Sequence, residues 1–329
     1  MNNPDNCKIL EPTKINLSHC ANFLRRGELL GVPTETVYGL AGNALCDSTV
    51  RKIFGVKGRP FIDPLIVHFA SIEEAILHAD FNDQALALAK QFWPGALTLV
   101  LPKKSSIPDI VTAGLSSVAI RLPEHIVFRR LLEQVDFPLA APSANPFGYV
   151  SPTRAMHVKT TLGDQISAVL DGGPCEHGLE STIVDLRNSN DPVILRPGPI
   201  SPSKLDIKIA EASCIISDES AQAAPGMLTQ HYSPKARIKL FPHGTSADSS
   251  NSGDAIVYNS KPEKKTIQAH TYWFSENGDL REIAHNLFML LQKLDHVGYK
   301  QLLVECAEQT DIGIAINDRL RRSAAAKLS

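Results

Sequence analysis

The stretch from Gly31 to His68 constrains the fold more than any other part of the chain. It begins with strand-like residues around a proline and continues through a glycine-bearing turn at 39–42. A short helix follows, which we expect Asp47 to cap and Gly55 to close. Residues 57–60 then lead into a short apolar strand. Strands and helices of this length, closely alternating, are typical of an α/β fold.

Two cations, Lys57 and Arg59, stand two residues apart in this stretch. In extended chain alternate residues face the same side, so we expect these two side chains to lie together, and likewise Thr34 and Thr36. Cations this close repel each other unless an anion lies between them or solvent surrounds both. The pattern leaves both interpretations open, an anion site and a solvated basic turn.

Further short apolar runs and helix caps extend over the first 200 or so residues. Helices are predicted for 15–26 and 123–135, and Ser71 and Asn82 are expected to cap two more. Strands are predicted for residues 29–32, 36–38, 65–67, 97–101, 118–122, 168–170, 181–186 and 193–195. Because strands and helices alternate irregularly, we predict a twisted, mixed α/β sheet with helices packed on it.

Length and composition predict two domains. A chain of 329 residues suggests about two, and the composition changes after about residue 210. We therefore predict a first domain at 1–212, a linker at 213–235 and a second domain at 236–329. Strands and helices alternate regularly beyond the linker, which predicts a smaller, Rossmann-like α/β domain.

Composition also excludes several classes of protein. The net charge of −2 argues against a broad phosphate-binding surface, so any anion site must be local. Six cysteines without a C-x-x-C pair indicate neither a disulfide framework nor a zinc knuckle, and they fit a reducing cytoplasm. No apolar run reaches the roughly 18 residues of a membrane span. Phosphate-loop and dinucleotide-binding glycine motifs are also missing from the sequence.

The polar residues that stand out lie where a predicted strand or a rigid loop ends. A charged side chain inside an apolar strand is costly unless it has a partner, so we expect Arg121 and Arg196 to meet a ligand or an acid. The alternative is a buried ion pair with an Asp or Glu. The whole set comprises Thr34, Thr36, Lys57, Arg59, His68, Arg121, Ser143, Asn145, Ser181, Thr182 and Arg196.

These residues lie in segments that together resemble the YrdC/Sua5 family. The segments, in order, are P-T-E-T-V-Y-G-L, K-G-R-P with P-L-I-V-H, A-P-S-A-N-P-F-G, S-T-I-V-D-L, and L-R-P-G. Lys57, Arg59, Ser143 and Asn145 match the family's K-x-R…S-x-N signature. The linker segment P-G-M-x-x-x-H-Y-x-P and A-I-N-D-R-L near the end resemble the longer, Sua5 type.

The resemblance implies a nucleotidyltransferase that makes L-threonylcarbamoyladenylate from L-threonine, bicarbonate and ATP with release of pyrophosphate. This is the first step in forming N6-threonylcarbamoyladenosine at position 37 of certain tRNAs. Mg2+ is expected to accompany ATP and to bridge its phosphates. The expected partner is the downstream tRNA threonylcarbamoyl-transfer machinery, with weak or no direct binding of tRNA.

The same resemblance implies a role for each matching residue. Lys57 and Arg59 are the catalytic cations. The residues expected at ATP are Lys57, Arg59, Asp63, Ser117, Ser143, Asn145, Ser151, Arg196 and Tyr232. Those expected at threonine are Thr34, Thr36, His68, Arg121, Ala141 and Ser181, with the choice between the two threonine side chains left open. The linker, with His231 and Tyr232, is expected to close over the site; alternatively it only packs on the sheet.

Two other functions are possible for such a chain. The first is a double-stranded RNA-binding or tRNA-binding module without catalysis, which the net charge and the lack of basic or aromatic stripes oppose. The second is a maturation enzyme that uses carbamoyl phosphate and ATP. Its zinc-finger and acylphosphatase-like motifs are missing from this sequence.

Overall fold

A computed structural model describes residues 7–188, 190–210, 222, 224–226, 232–247, 253–263 and 269–325. Within these residues ten strands form one mixed sheet, in the order β1-β8-β2-β3-β7-β4-β6-β5-β9-β10. They are β1 (Lys8–Leu10), β2 (Leu30–Val32), β3 (Gly39–Asn43), β4 (Ile66–His68), β5 (Leu97–Pro102), β6 (Ser117–Arg121), β7 (Leu139–Ala140), β8 (Ala168–Leu170), β9 (Thr182–Asp185) and β10 (Val193–Arg196). Parallel pairs such as β4–β6 alternate with antiparallel pairs such as β5–β6, which confirms the predicted mixed sheet.

Helices cover this sheet and belong with it to what we call the first unit, residues 7–210. They are α1 (Lys14–Arg25), α2 (Asp47–Lys57), α3 (Ile72–Ile76), α4 (Asp83–Phe92), α5 (Ile126–Leu132), α6 (Ala155–Leu162) and α7 (Pro202–Leu205), with a 3₁₀ helix at Asp109–Thr112. Ser71 caps α3 and Asn82 caps α4 as predicted. Strand β1 and helix α6 were not predicted, and α5 is shorter than the predicted 123–135.

A second, smaller sheet defines the second unit, residues 236–325. Its four described strands are all parallel and run in the order β11-β14-β12-β13. They are β11 (Arg237–Phe241), β12 (Asp254–Ser260), β13 (Thr271–Ser275) and β14 (Gln301–Glu305), with helices α8 (Leu280–Val297) and α9 (Asp311–Ala324). A small parallel sheet with helices is the Rossmann-like arrangement that we predicted. The exact limits 1–212, 213–235 and 236–329 stay a prediction.

Two local predictions for the stretch from Gly31 to His68 were wrong. Residues 39–43 form strand β3 instead of a turn, since they pair with β2 and β7 on either side. The glycine at 42 reflects close packing, because a Cβ there would come within 2.8 Å of Leu29 and Thr49. The predicted strand at 36–38 is irregular, because the amides of Thr36 and Val37 both donate to the Thr34 hydroxyl and bend the chain.

Helix α2 also ends later than predicted. Gly58, with φ of +61°, closes the helix in place of Gly55, as glycine does readily in a left-handed cap. Lys57 is consequently the last residue of a helix and does not lie in extended chain. The reason given for its closeness to Arg59 was therefore wrong, although the two charges do interact, since Arg59 lowers the pKa of Lys57 after the larger effect of burial.

The two units share a hydrophobic core. Leu287 and Phe288 of α8 are fully buried, in one cluster with Val37, Val150 and Leu179 of the first unit. Burial of each such side chain contributes about 1.5–3 kcal/mol. The contact therefore holds α8 firmly against the part of the first unit that carries Thr34 and Thr36. No helix among the described residues is both long and apolar enough to span a membrane.

Candidate active site

A cavity with an empty volume of about 530 Å³ lies between one end of the central strands of the large sheet and the linker. Its walls hold ten of the predicted site residues together with apolar and glycine positions. They are Thr34, Thr36, Val37, Gly39, Arg59, Ile66, His68, Arg121, Ala141, Pro142, Ser143, Glu180, Ser181, Arg196, Pro225, Gly226 and Tyr232.

Strand register brings these side chains to the same end of neighbouring strands in the sheet. His68 at the end of β4 pairs with Arg121 at the end of the parallel strand β6. β5 lies between β6 and β9 in the sheet, antiparallel to the first and parallel to the second. The start of β9, and with it Ser181, therefore lies near the end of β6. Arg196 ends β10, which runs antiparallel to β9. Residues from four strands thus converge although they lie far apart in the sequence.

Arg121 both forms an ion pair and lines the cavity. Its Nη2 lies 2.6 Å from Glu35 Oε1, and its Nη1 donates to Thr36 Oγ1 over 2.9 Å. Burial raises the pKa of the Glu35 carboxyl, but Arg121 outweighs that effect and holds it below its ordinary value. The alternative of a buried ion pair is therefore correct for Arg121, and it coexists with a position in the cavity wall.

The two candidate threonine side chains differ in their hydrogen bonds, because Thr36 accepts from Arg121 whereas Thr34 donates to the carbonyl of Val37 over 2.6 Å, and the choice between them stays open. Thr34 Oγ1 and Thr36 Oγ1 are 2.8 Å apart, as expected from their spacing, and both line the cavity. His68 lies beside them. Burial, and then the charge of Arg121, lower its pKa to about 3, so the imidazole is neutral at physiological pH. A neutral imidazole offers one acceptor and one donor nitrogen to a polar ligand.

Arg59 is also buried in the cavity wall. Its Nη2 lies 2.9 Å from Asp63 Oδ1, and its guanidinium also donates to the carbonyls of Asp63 and Pro64. Asp63 itself interacts with the amide of Gly226, which ties the linker to this wall. The solvated-turn interpretation of Lys57 and Arg59 is wrong, because both side chains are almost fully buried, 3% and 6% exposed.

Arg196 connects Ser181 with the linker. It donates to Ser181 Oγ over 3.1 Å and to the carbonyl of Pro225 over 3.2 Å. Gly226 follows with φ of +77°, and a Cβ there would lie only 2.8 Å from the hydroxyl of Tyr232. Glycine is therefore required where the linker crosses the cavity. His231 lies outside the described residues.

Five predicted residues are not among those that line the cavity. Lys57 Nζ donates to the carbonyls of Ser143 and Asn145, each over 2.6 Å, and so supports the loop that carries Ser143. Ser151 donates to Glu180 over 2.5 Å. Asp63, Asn145 and Ser117 are also buried, the last at the start of β6. Contact of these five with a substrate stays a prediction.

Sequence reasoning missed Glu180. This carboxylate lines the cavity and is 6% exposed, with Ser151 on one oxygen and Arg319 on the other. Its place directly before Ser181 was a usable signal, because a buried acid next to a predicted site residue needs a partner. That partner comes from the second unit and could not be read from local sequence.

Two protein-family models together match nearly the whole chain. The Sua5/YciO/YrdC family, described as "Telomere recombination", matches residues 22–198, and "Threonylcarbamoyl-AMP synthase, C-terminal domain" matches residues 194–325. The threonylcarbamoyl-AMP synthase of Pyrococcus abyssi is 39% identical over 95% of both chains. That of Bacillus subtilis is 35% identical over 95% of this chain and 94% of its own.

Other relatives extend the comparison in structure and in length. The crystal structure of P. abyssi Sua5 complexed with L-threonine superposes with a TM-score of 0.88 at 36% identity, over 97% of each chain. A shorter protein of Mycobacterium tuberculosis, described as a putative threonylcarbamoyl-AMP synthase, is 36% identical over 55% of this chain and 83% of its own.

The fold and the site thus define a nucleotidyltransferase-type enzyme with a buried, cationic cavity. The chain belongs to the Sua5/YrdC family of threonylcarbamoyl-AMP synthases, in the longer form that carries the C-terminal domain.

Proposed function

We propose that this chain synthesises L-threonylcarbamoyladenylate from L-threonine, bicarbonate and ATP, and so starts the formation of N6-threonylcarbamoyladenosine in tRNA. One observation carries the proposal: three buried arginines, Arg59, Arg121 and Arg196, line one cavity with hydroxyl side chains between them. All the substrates bear anionic groups, and the guanidinium fork suits carboxylates and phosphates. L-threonine in the solved P. abyssi relative supports the amino-acid substrate.

In this reaction the main task of the protein is to position charged groups. The amine of threonine attacks carbon dioxide, supplied by bicarbonate, and loses a proton, which gives a carbamate. A carbamate oxygen then attacks the α-phosphorus of ATP, and the bond from that phosphorus to the bridging oxygen breaks as pyrophosphate leaves. Orientation and stabilisation of the developing negative charge account for most catalysis in such phosphorus chemistry.

We assign Arg121, with Thr34 or Thr36, His68, Ala141 and Ser181, to threonine. Arg59 and Arg196 then face the triphosphate and the carbamate, while Lys57 supports the Ser143 loop at the ATP side. Pro225, Gly226 and Tyr232 cover the cavity, so the linker excludes water that would destroy the labile carbamate. The alternative, that the linker only packs on the sheet, is less favoured because Pro225, Gly226 and Tyr232 line the cavity itself.

Mg2+ would enter with ATP. Among its polar side chains the cavity presents three arginines, hydroxyls, one imidazole and the single carboxylate Glu180, and no cluster of three metal-binding side chains occurs in the part of the chain that the structure describes. Phosphate oxygens and water would therefore hold the ion, which is the usual arrangement for Mg2+ with nucleotides.

Two further parts of the proposal concern the cell. The described cysteines are all unpaired, which supports a reducing, cytoplasmic location. The product would pass to the machinery that transfers threonylcarbamoyl to tRNA. The alternative of an RNA-binding module is not favoured, because Arg59, Arg121 and Arg196 are each at most 6% exposed and cannot form a phosphate-binding surface.

Pyrophosphate release from ATP tests this function. We expect release only when threonine and bicarbonate are both present, with a product whose mass is that of threonylcarbamoyladenylate. Serine and valine are the matched controls, since the first lacks the threonine methyl group and the second lacks its hydroxyl. Release that is independent of threonine, or a salt-dependent RNA gel shift without turnover, would refute the proposal.

A further inference from the structure

Arg319 of α9 crosses from the second unit into the first and is fully buried. Its Nε donates to Glu180 Oε2 over 2.8 Å, and its Nη2 donates to the carbonyl of Pro197 over 2.9 Å. The remaining nitrogen, Nη1, forms an ion pair with Asp318 Oδ2 at 2.5 Å. A buried guanidinium is costly without such partners, so this side chain has one well-defined position.

Glu180 is the carboxylate in the cavity wall, and the second unit determines its orientation. One of its oxygens accepts from Ser151, the other from Arg319. Gln292 of α8 donates in turn to the backbone carbonyl of Ser151 over 2.8 Å. Two helices of the second unit therefore converge on the Ser151–Glu180 pair, one from each side.

Arg319 also touches the linker where it lines the cavity. Its Cζ lies 5.3 Å from the centre of the Tyr232 ring, and that ring stacks on Phe288 at 5.5 Å. Ser323 of α9 donates to the Tyr232 carbonyl over 2.8 Å. Tyr232 has φ of +65°, a conformation that costs a bulky residue free energy and persists only when surrounding contacts impose it.

We propose that Arg319 is a positioning residue for the reaction and that the second unit completes the ATP side of the active site through the Arg319–Glu180–Ser151 network. The inference rests on the proposed function and extends it, because it gives the second unit a role in catalysis besides carrying the linker.

Arg121, which we assign to the threonine carboxylate, lies outside this network, although Ser181 directly follows Glu180. Arg121 is held by Glu35, by Thr36 and by the carbonyl of Gly95, all in the first unit. Loss of Arg319 should therefore disturb ATP and leave threonine in place. A general loss of folding would weaken both substrates, so the ratio of the two effects separates positioning from a merely structural role.

The test compares Arg319→Lys and Arg319→Gln with Arg321→Gln in the full-length protein. Arg321 is exposed on the same helix and serves as the matched control. We expect kcat/KM for ATP to fall about 10-fold for the lysine variant and about 100-fold for the glutamine variant, the loss typical of a slightly misplaced group. Threonine binding, measured by calorimetry, should change less than about twofold.

A double-mutant cycle identifies the path of the effect. If Arg319 acts through Glu180, then Arg319→Gln should cost much less in a Glu180→Gln background than in the wild type, because neighbours that share one network are not additive. Should Arg319→Gln fail to fold, Arg319→Lys and Gln292→Met carry the test, the latter with an expected loss of about fivefold for ATP.

Two results would overturn the inference: Arg319→Lys and Gln292→Met that match the wild type for ATP, or additive effects of Glu180→Gln and Arg319→Gln. Failure of the proposed function looks different, since the wild type itself would then release no pyrophosphate. In that case the affinity of the same variants for ATP tests the inference. Affinities equal to that of the wild type would reject the role of Arg319.

Discussion

Replacing Arg121 with alanine is expected to raise the KM for L-threonine about 100-fold and the KM for ATP less than about threefold. A charge-assisted hydrogen bond contributes about 1.5–3 kcal/mol, and a bidentate contact to a carboxylate reaches the upper end of that range. Each 1.4 kcal/mol or so is tenfold in affinity. Arg121 lines the cavity with His68 and donates to Thr36, another residue of the cavity wall.

The ion pair with Glu35 must be separated from this effect. Removal of Arg121 leaves Glu35 buried and unpaired, which typically costs about 3–5 kcal/mol of stability. The double variant Glu35→Gln/Arg121→Ala removes that charge and should recover stability but not threonine affinity. Arg130→Ala, on the exposed side of α5, is the matched control. Steady-state kinetics in which the ATP requirement rises more than the threonine requirement would contradict the assignment.

Cutting the chain after Ser220 is expected to abolish synthesis while the first unit stays folded. The cut removes Pro225, Gly226 and Tyr232 from the cavity wall and Arg319 from Glu180. Water would then enter the cavity, and both the carbamate and the orientation of the phosphates would be lost, so we expect less than about 1% of the full-length rate. The ten-stranded sheet keeps most of its own core.

Folding of the shortened protein needs its own measurement, because Val37, Val150 and Leu179 lose their contacts with α8. Circular dichroism and a cooperative melting transition would establish a folded first unit. The full-length Arg321→Gln variant gives the reference rate. A folded, truncated protein that still makes threonylcarbamoyladenylate would remove the covering role of the linker.

Local chemistry explains which parts of the fold were predictable. The caps at Ser71 and Asn82 act within one helical turn, so the sequence around them suffices. Apolar runs such as 97–101 are buried strands wherever the sheet places them. In contrast, β3 contains glycines because α2 packs closely against it, and that neighbour is invisible in a strand-by-strand analysis.

The site follows the same division. Residues at strand ends, such as Arg121 and Arg196, were predictable because a charge in an apolar strand needs a reason. The support of the Ser143 loop by Lys57 depends on the helix ending at Gly58, one turn later than predicted. Arg319 and Glu180 lie 139 residues apart, and only the packing of the two units brings them together.

One cavity must hold the triphosphate of ATP and threonine side by side, and a crystal structure of this chain with L-threonine and a non-hydrolysable ATP analogue tests that claim most directly. The account predicts the threonine carboxylate at Arg121 and the phosphates between Arg59 and Arg196, beneath Gly226 and Tyr232. Either ligand bound in a different cavity, or both bound with these arginines out of contact, would contradict it.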